Sequence, residues 1–146
     1  MIIDIMPTRG EIPGFTSEWY PLAFETARPH VLPDGTSIRL VTPACFLATK
    51  LAAFGDRGRQ DPMASHDLED VISVIDGRSE IVEDLAAASV DVRAYVAGQL
   101  TELMRRRNAP EIIAGQLMSD AVSQARLPLV IARIRDLIAS GSSGER

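Results

Sequence analysis

The sequence predicts a mostly helical α+β fold, in which a short N-terminal strand and a β-hairpin precede a helical bundle. Three observations support this class. The apolar segment 1–6 is typical of a buried strand, and Asp34-Gly35 between two apolar runs is the strongest short hairpin signal. From residue 42 onward, apolar residues recur mostly at helical spacing. The 146-residue chain fits one domain, which we assign to residues 1–140, with a disordered tail at 141–146.

Composition and charge argue against several classes of protein. The net charge of −5 argues against broad DNA binding, although a local basic site remains compatible with it. No stretch reaches the roughly 18 consecutive apolar residues that a membrane span needs, so no membrane partner is expected. The single Cys45 allows no internal disulfide, and the N-terminus lacks a signal-peptide pattern. We therefore expect a cytoplasmic location.

The first thirty residues predict one strand and one helix. Pro7 ends the strand at 1–6, and a buried strand needs neighbours on both sides. A strand at the very first residue therefore indicates that the fold begins upstream of Met1 or that the chain is a fragment. Ser17 is expected to cap a helix over 18–27. The residues expected to face inward from this helix are Trp19, Leu22 and Phe24.

The hairpin strands are predicted at 29–33 and 36–41. In the second strand, Ile38 and Leu40 alternate with polar residues, so one face of the hairpin is expected to be solvated.

Two helices joined by a polar loop form the predicted centre of the fold. Thr42 is a good helix cap, and Pro43 suits the first helical position. Glycines and a proline predict a loop over 55–64, and Ser65 is expected to cap the second helix. The inward-facing residues are Phe46, Leu47, Leu51 and Phe54 in the first helix, and Leu68, Val71, Ile72 and Ile75 in the second.

The remainder of the chain is predicted to be helical. The expected helices span 80–87, 90–107, 109–117 and 127–139. Ser79, Ser89 and Asn108 are the expected caps of the first three, and Asn108 with Glu111 resembles a capping box. The run Arg105–Arg107 has two interpretations, a solvated helix end or a nucleic-acid patch.

The first candidate for a functional site is the region around Lys50, which is the only lysine in a chain with fourteen arginines. A lysine retained against such a bias is a compact point charge that arginine's planar fork does not replace. Lys50 and Arg57 are spaced for one helix face, and Asp67 and Asp70 lie three apart on the next helix. A helix–loop–helix hairpin could join these four charges. The cluster would either tie the helices together or hold phosphate oxygens.

Asp4 is a carboxylate inside the apolar strand, where it needs a partner. It either caps a turn at the strand end or serves as a metal ligand or base. One carboxylate does not make a magnesium site, which also needs substrate phosphates or a second carboxylate.

The patterns FLATKLAAFGDRG and SHDLEDVISVIDGR resemble the nucleotidyltransferase-like proteins of the AbiEii-type abortive-infection toxin group. The resemblance implies that residues 1–76 are a nucleotidyltransferase-like remnant and that residues 79–140 are a helical part. The N-terminal strand and the β-hairpin would then be what remains of a polymerase-β-like nucleotidyltransferase sheet. It implies Mg²⁺-dependent transfer of a nucleoside monophosphate (NMP) from a nucleoside triphosphate (NTP) to an RNA or protein hydroxyl, and an antitoxin partner. The implied catalytic residues are Asp4, Lys50 and Asp67; Lys50, Arg57 and Asp70 would bind nucleotide, and Asp4 would bind the metal.

The sequence departs from that family at the main metal motif. No Gly-Ser turn followed by D-x-D precedes Asp4. Mg²⁺ is therefore expected only together with an upstream D-x-D, and the chain is predicted to be a truncated or inactive nucleotidyltransferase. The alternative is a non-catalytic helical module for protein interaction, in which the charged cluster is a structural clasp.

Overall fold

The computed structural model describes residues 17–142, so the predicted strand at 1–6 and Asp4 lie outside the described residues. A two-stranded hairpin is followed by helices in an α+β arrangement, as the sequence predicts. The elements are α1 (Tyr20–Thr26), β1 (Arg28–Val31), β2 (Ser37–Leu40), α2 (Pro43–Ala53), a π-helical turn (Phe54–Gly58), a 3₁₀ turn (Pro62–Ala64), α3 (His66–Gly77), α4 (Ile81–Ala86), α5 (Val90–Met104), α6 (Ala109–Gly115), α7 (Ala121–Gln124) and α8 (Leu127–Ser142).

The hairpin turn forms where Asp-Gly predicts it. Strands β1 and β2 pair antiparallel, with Arg28 opposite Leu40. Gly35 has a φ of +86°, a conformation that glycine adopts without a steric penalty. The Asp34 side chain accepts a hydrogen bond from the backbone N–H of Thr36 at 2.9 Å, which fixes the turn.

The hairpin differs from expectation in being exposed along both strands. Leu40, on the predicted inner face, is 50% exposed, and Phe24 of α1, expected to face inward, is 63% exposed. Arg39 lies 4.9 Å from the centre of the Phe24 ring and donates hydrogen bonds to the carbonyl groups of Phe24, Glu25 and Ala27. The hairpin is therefore attached to the end of α1 through this arginine.

The two central helices are capped as predicted. The Thr42 side chain accepts from the N–H of Cys45 at 3.4 Å, and the Ser65 side chain accepts from the N–H of Leu68 at 3.3 Å. Helix α3 buries its predicted stripe completely, and α2 buries all of its stripe except Phe46, which is half-buried. The fully buried α3 residues are Leu68, Val71, Ile72 and Ile75.

The predicted loop at 55–64 is partly wrong, because helical structure continues beyond α2. The N–H of Phe54 is shared between the carbonyl groups of Lys50 and Leu51, and a π-helical turn follows to Gly58. Gly55 therefore lies inside helical structure, and the turn ends at Gly58. The consequence is that Arg57 sits on a continuation of the helix that carries Lys50.

The C-terminal helices complete the core, with α5 and α8 in extensive contact. Gly141 allows this approach, since a Cβ there would lie 2.3 Å from the Cβ of Ala97. Helix α8 continues to Ser142, so it includes the start of the predicted tail, and residues 143–146 lie outside the described residues. None of the helices within 17–142 is long and apolar enough to cross a membrane.

Three details of the C-terminal helices correct the expectations. Helix α4 begins after Glu80, so Ser79 is not its cap, and Asn108 precedes α6 without a side-chain capping bond. The short helix α7 was not predicted. Asp120 caps it by accepting from the N–H groups of Val122 and Ser123 at 3.1 and 3.0 Å.

Candidate functional site

The four charged residues singled out in the central helices lie together in the structure. Lys50 projects from α2, Arg57 from the π-helical turn, and Asp67 and Asp70 from the first turns of α3. We call these four residues the Lys50 cluster. The Lys50 ammonium lies 2.7 Å from a carboxylate oxygen of Asp70 and 3.6 Å from one of Asp67. The sequence prediction that a helix–loop–helix hairpin joins them is thus matched by the geometry.

Asp67 is the centre of the cluster. One nitrogen of the Arg57 guanidinium donates to both of its carboxylate oxygens, at 3.0 and 3.3 Å, while Lys50 approaches one of them. The Asp67 side chain is only 14% exposed, compared with 47% for Asp70. Asp67 therefore holds the two cations at a fixed separation, and Asp70 is the more accessible carboxylate.

The environment keeps Lys50 charged. Partial burial lowers the pKa of its ammonium, but the hydrogen bond and charge of Asp70, aided by Asp67, outweigh burial and raise the pKa above its usual value of 10.5. The ammonium also lies 5.9 Å from the centre of the Phe46 ring, at the limit of a cation–π contact. Asp70 lies within hydrogen-bond distance of the Lys50 ammonium, whereas Asp67 at 3.6 Å forms an ion pair with it beyond that distance. An ammonium has three donors, so it can also bind a further acceptor.

Tyr20 borders the cluster, and the sequence analysis did not select it. Burial raises the pKa of its hydroxyl, while the charges of Arg57 and Lys50 lower it and that of Asp67 raises it. Tyr20 belongs to α1, which packs on α2, and its hydroxyl lies within the electrostatic influence of the α2–α3 charges. No local pattern indicates this, because the proximity depends on how α1 folds back onto α2.

The cluster can hold an anion but does not form a metal site by itself. Its two carboxylates are engaged by two cations, so they do not offer the free oxygen ligands that Mg²⁺ prefers. Within residues 17–142, no group of three or more His, Cys, Asp or Glu side chains could hold a metal ion. The donor set described here does not fit Mg²⁺, and Asp4, the predicted metal ligand, lies outside it.

A separate groove lies away from the Lys50 cluster. It has a volume of about 520 Å³ and lies beside the hairpin, lined by residues of α1, β1, the start of α2 and α4, among them Thr26 and Cys45. The Cys45 thiol is buried and lies 3.5 Å from the Thr26 hydroxyl. None of the four residues of the Lys50 cluster lines this groove, so the two sites are separate.

Comparisons of the chain with models of known protein families, with curated proteins and with solved structures found no match.

Proposed function

We propose that this chain carries the triphosphate-binding part of a nucleotidyltransferase that transfers an NMP from an NTP to an RNA or protein hydroxyl. The observation that supports the proposal most is the convergence of Lys50 and Arg57 on the shared carboxylate of Asp67. Two cations held at a fixed separation suit the oxygens of a polyphosphate. The resemblance of this stretch to nucleotidyltransferase-like toxins adds to that reading.

In this proposal each residue has a separate task. Asp67 positions the cations, since it is the least exposed carboxylate and contacts both. Asp70 occupies the place beside Lys50 that a phosphate oxygen would share or take, because it is the more exposed partner.

During transfer, the acceptor hydroxyl would lose its proton to solvent and its oxygen would bond to the α-phosphorus. The bond from the α-phosphorus to the oxygen that bridges it to the β-phosphorus would break, and pyrophosphate would leave with that oxygen. Lys50 and Arg57 would neutralise the charge that develops on the leaving pyrophosphate. The described residues offer no fitted metal site, so we derive no step through Mg²⁺. An antitoxin partner remains part of the proposal through the resemblance alone.

Isothermal titration with each of the four NTPs, with and without Mg²⁺, tests this proposal. Lys50→Met removes the charge but keeps a long apolar stem against Phe46, and it should weaken binding by about tenfold, the equivalent of one charged hydrogen bond. Arg135→Met is the matched control, since Arg135 is an exposed cation on α8. Absence of NTP binding by the unmodified chain, or equal binding by both variants, would contradict the proposal.

The second candidate is a structural clasp in a non-catalytic module for protein interaction. It is favoured by the complete neutralisation of the Lys50 cluster, in which two cations contact two carboxylates. A clasp predicts that NTPs leave the melting temperature unchanged, whereas a ligand that binds the native state raises it. A thermal-shift series with NTPs therefore separates the two candidates.

A further inference from the structure

A second group of cations lies on the other side of the π-helical turn. Arg59 follows this turn, and Arg105 and Arg106 follow the end of α5, more than forty residues away in sequence. The three arginines line a cavity of about 250 Å³ together with Glu102 and Gln99, above Phe54 and Leu103. We call this the arginine cavity. The cavity therefore has three guanidinium groups and one carboxylate.

Arg59 and Arg106 are not neutralised by carboxylates in the described part of the chain. Arg59 donates to the side-chain oxygen of Gln99 at 3.3 Å, and Arg106 donates to the backbone carbonyl of Arg59 at 3.3 Å. Only Arg105 forms an ion pair, with Glu102 at 2.5 Å. The arrangement is thus the opposite of the Lys50 cluster, because two positive charges are left in excess.

The apolar floor strengthens the field of these charges. Phe54 is 6% exposed and Leu103 is 2% exposed, so the guanidinium groups stand above a surface of low polarity. Concave sites with such walls and one sign of charge concentrate counter-ions. Neutral hydrogen-bond acceptors hold Arg59 and Arg106 in place without cancelling their charge.

Stabilisation of the α5 terminus does not account for the whole arrangement. Cations near a helix C-terminus complement its dipole, which gives Arg105 and Arg106 a local role. Arg59 belongs to a different segment, and its backbone is bonded to Arg106. The fold therefore adds a third cation to a site that the helix end does not require.

We infer that the arginine cavity binds phosphate groups. Guanidinium groups bind phosphate oxygens in a bidentate manner, and the two that lack carboxylate partners are the ones available for it. The phosphate could come from free inorganic phosphate or from the phosphodiesters of a single-stranded nucleic acid. This inference goes beyond the proposed function and does not depend on it, since it involves none of the Lys50 cluster.

Fluorescence anisotropy of a labelled oligouridine with a 5′-hydroxyl tests the inference without any triphosphate. Arg59→Gln combined with Arg106→Gln should weaken binding by about tenfold or more. The salt dependence should also fall, with the slope of log K against log salt reduced by about 1 to 2. Arg107→Gln is the matched control, because Arg107 is exposed, belongs to the same run and does not line the cavity.

A variant that makes the cavity more positive controls for weaker binding caused by loss of folding. Glu102→Gln removes the only carboxylate of the cavity and should tighten binding by about two- to fivefold, a change that general destabilisation does not produce. Lys50→Met should bind the oligonucleotide like the unmodified chain, which separates this inference from the proposed triphosphate site.

The outcomes distinguish the source of the phosphate. Tight oligonucleotide binding that millimolar inorganic phosphate does not displace supports a phosphodiester ligand, and displacement by phosphate supports the free anion. The inference is overturned if neither probe binds, or if Arg107→Gln weakens binding as much as the double variant does.

Discussion

The Lys50 cluster and the arginine cavity use similar side chains in opposite ways. In the Lys50 cluster, two cations meet two carboxylates and the charges cancel. In the arginine cavity, Arg59 and Arg106 are held by neutral oxygens, and positive charge remains in excess. Arg57 and Arg59 are only two residues apart, yet one contacts α3 and the other α5. Arg57 lies within the π-helical turn and Arg59 directly follows it, and side chains two residues apart on a helix do not share a face.

The difference in charge balance indicates that the two sites have different roles, one in stability and the other in anion binding. A neutralised cluster contributes to stability and needs a strong ligand to displace its internal partners. A cavity with excess charge contributes little to stability but is ready to bind an anion.

Truncating a core residue of α3, the helix that carries two members of the Lys50 cluster, should cause the largest loss of stability. Ile72→Ala empties a fully buried position on α3, the helix that carries Asp67 and Asp70. The free energy of unfolding should fall by about 2–5 kcal/mol, as for other truncations of large core residues. Urea denaturation measures the loss, and Val122→Ala on α7, where Val122 is 76% exposed, is the control. A loss below that of the control would show that α3 does not anchor the cluster.

Asp67→Ala should have the next largest effect. It leaves Lys50 and Arg57 without their common acceptor, so the free energy of unfolding should fall by about 1–3 kcal/mol. Asp136→Ala on α8 is the matched control, because Asp136 is exposed and its removal should cost no more than about 0.5 kcal/mol. Equal stabilities of the two variants would mean that the Lys50 cluster is not a stabilising unit.

Alkaline pH should weaken the Lys50 cluster in a defined direction. The pKa of Lys50 is higher in the folded state than its usual value of 10.5, so its contribution is complete below that value and is lost as the pH rises through the folded-state pKa. Lys50→Arg keeps the charge throughout this range, because arginine does not titrate there.

The measurement is the melting temperature from neutral pH to pH 11.5. Burial raises the pKa of Tyr20, so ionisation of this tyrosine at alkaline pH also lowers the stability of the folded state. Tyr20 is present in both proteins, so this loss is common to them. The unmodified chain should therefore lose more stability than Lys50→Arg does. Identical dependence of the melting temperature on pH in the two proteins would mean that Asp67 and Asp70 do not stabilise the charged form of Lys50.

The arginine cavity should give the smallest change in stability. Arg59→Gln removes one exposed cation whose partner is the neutral Gln99 side chain. The free energy of unfolding should change by less than about 1 kcal/mol, as for other exposed polar contacts. A loss as large as that of Asp67→Ala would show that the two sites are not divided between stability and binding.

Local patterns were sufficient for the hairpin, for α3 and for the Lys50 cluster, but not for α7 or the π-helical turn. Ser65 and the apolar repeat over α3 identify that helix, and Asp34-Gly35 identifies the hairpin, because both signals depend on nearby residues. The Lys50 cluster could be predicted since its members lie on two consecutive helices. The strand at 1–6 and the role of Asp4 stay predictions.

The remaining features depend on tertiary structure. Gly55 and Gly58 are typical of a loop, but the structure has a π-helical turn there that also contacts α3. Arg59 and Arg106 are separated by forty-seven residues, so no periodicity links them. The place of Tyr20 beside the cluster likewise depends on how α1 packs on α2.

The proposal that the Lys50 cluster binds a triphosphate can be tested at one atom, the side-chain nitrogen of Lys50. Lys50 is the only lysine, so acetylation of a side-chain amine reports its accessibility alone, and mass spectrometry separates it from the N-terminal amine. The rate is measured with no ligand, with an NTP and with the matching nucleoside. We predict that the NTP slows acetylation several-fold and that the nucleoside does not. Equal rates under all three conditions would contradict the claim and favour the clasp.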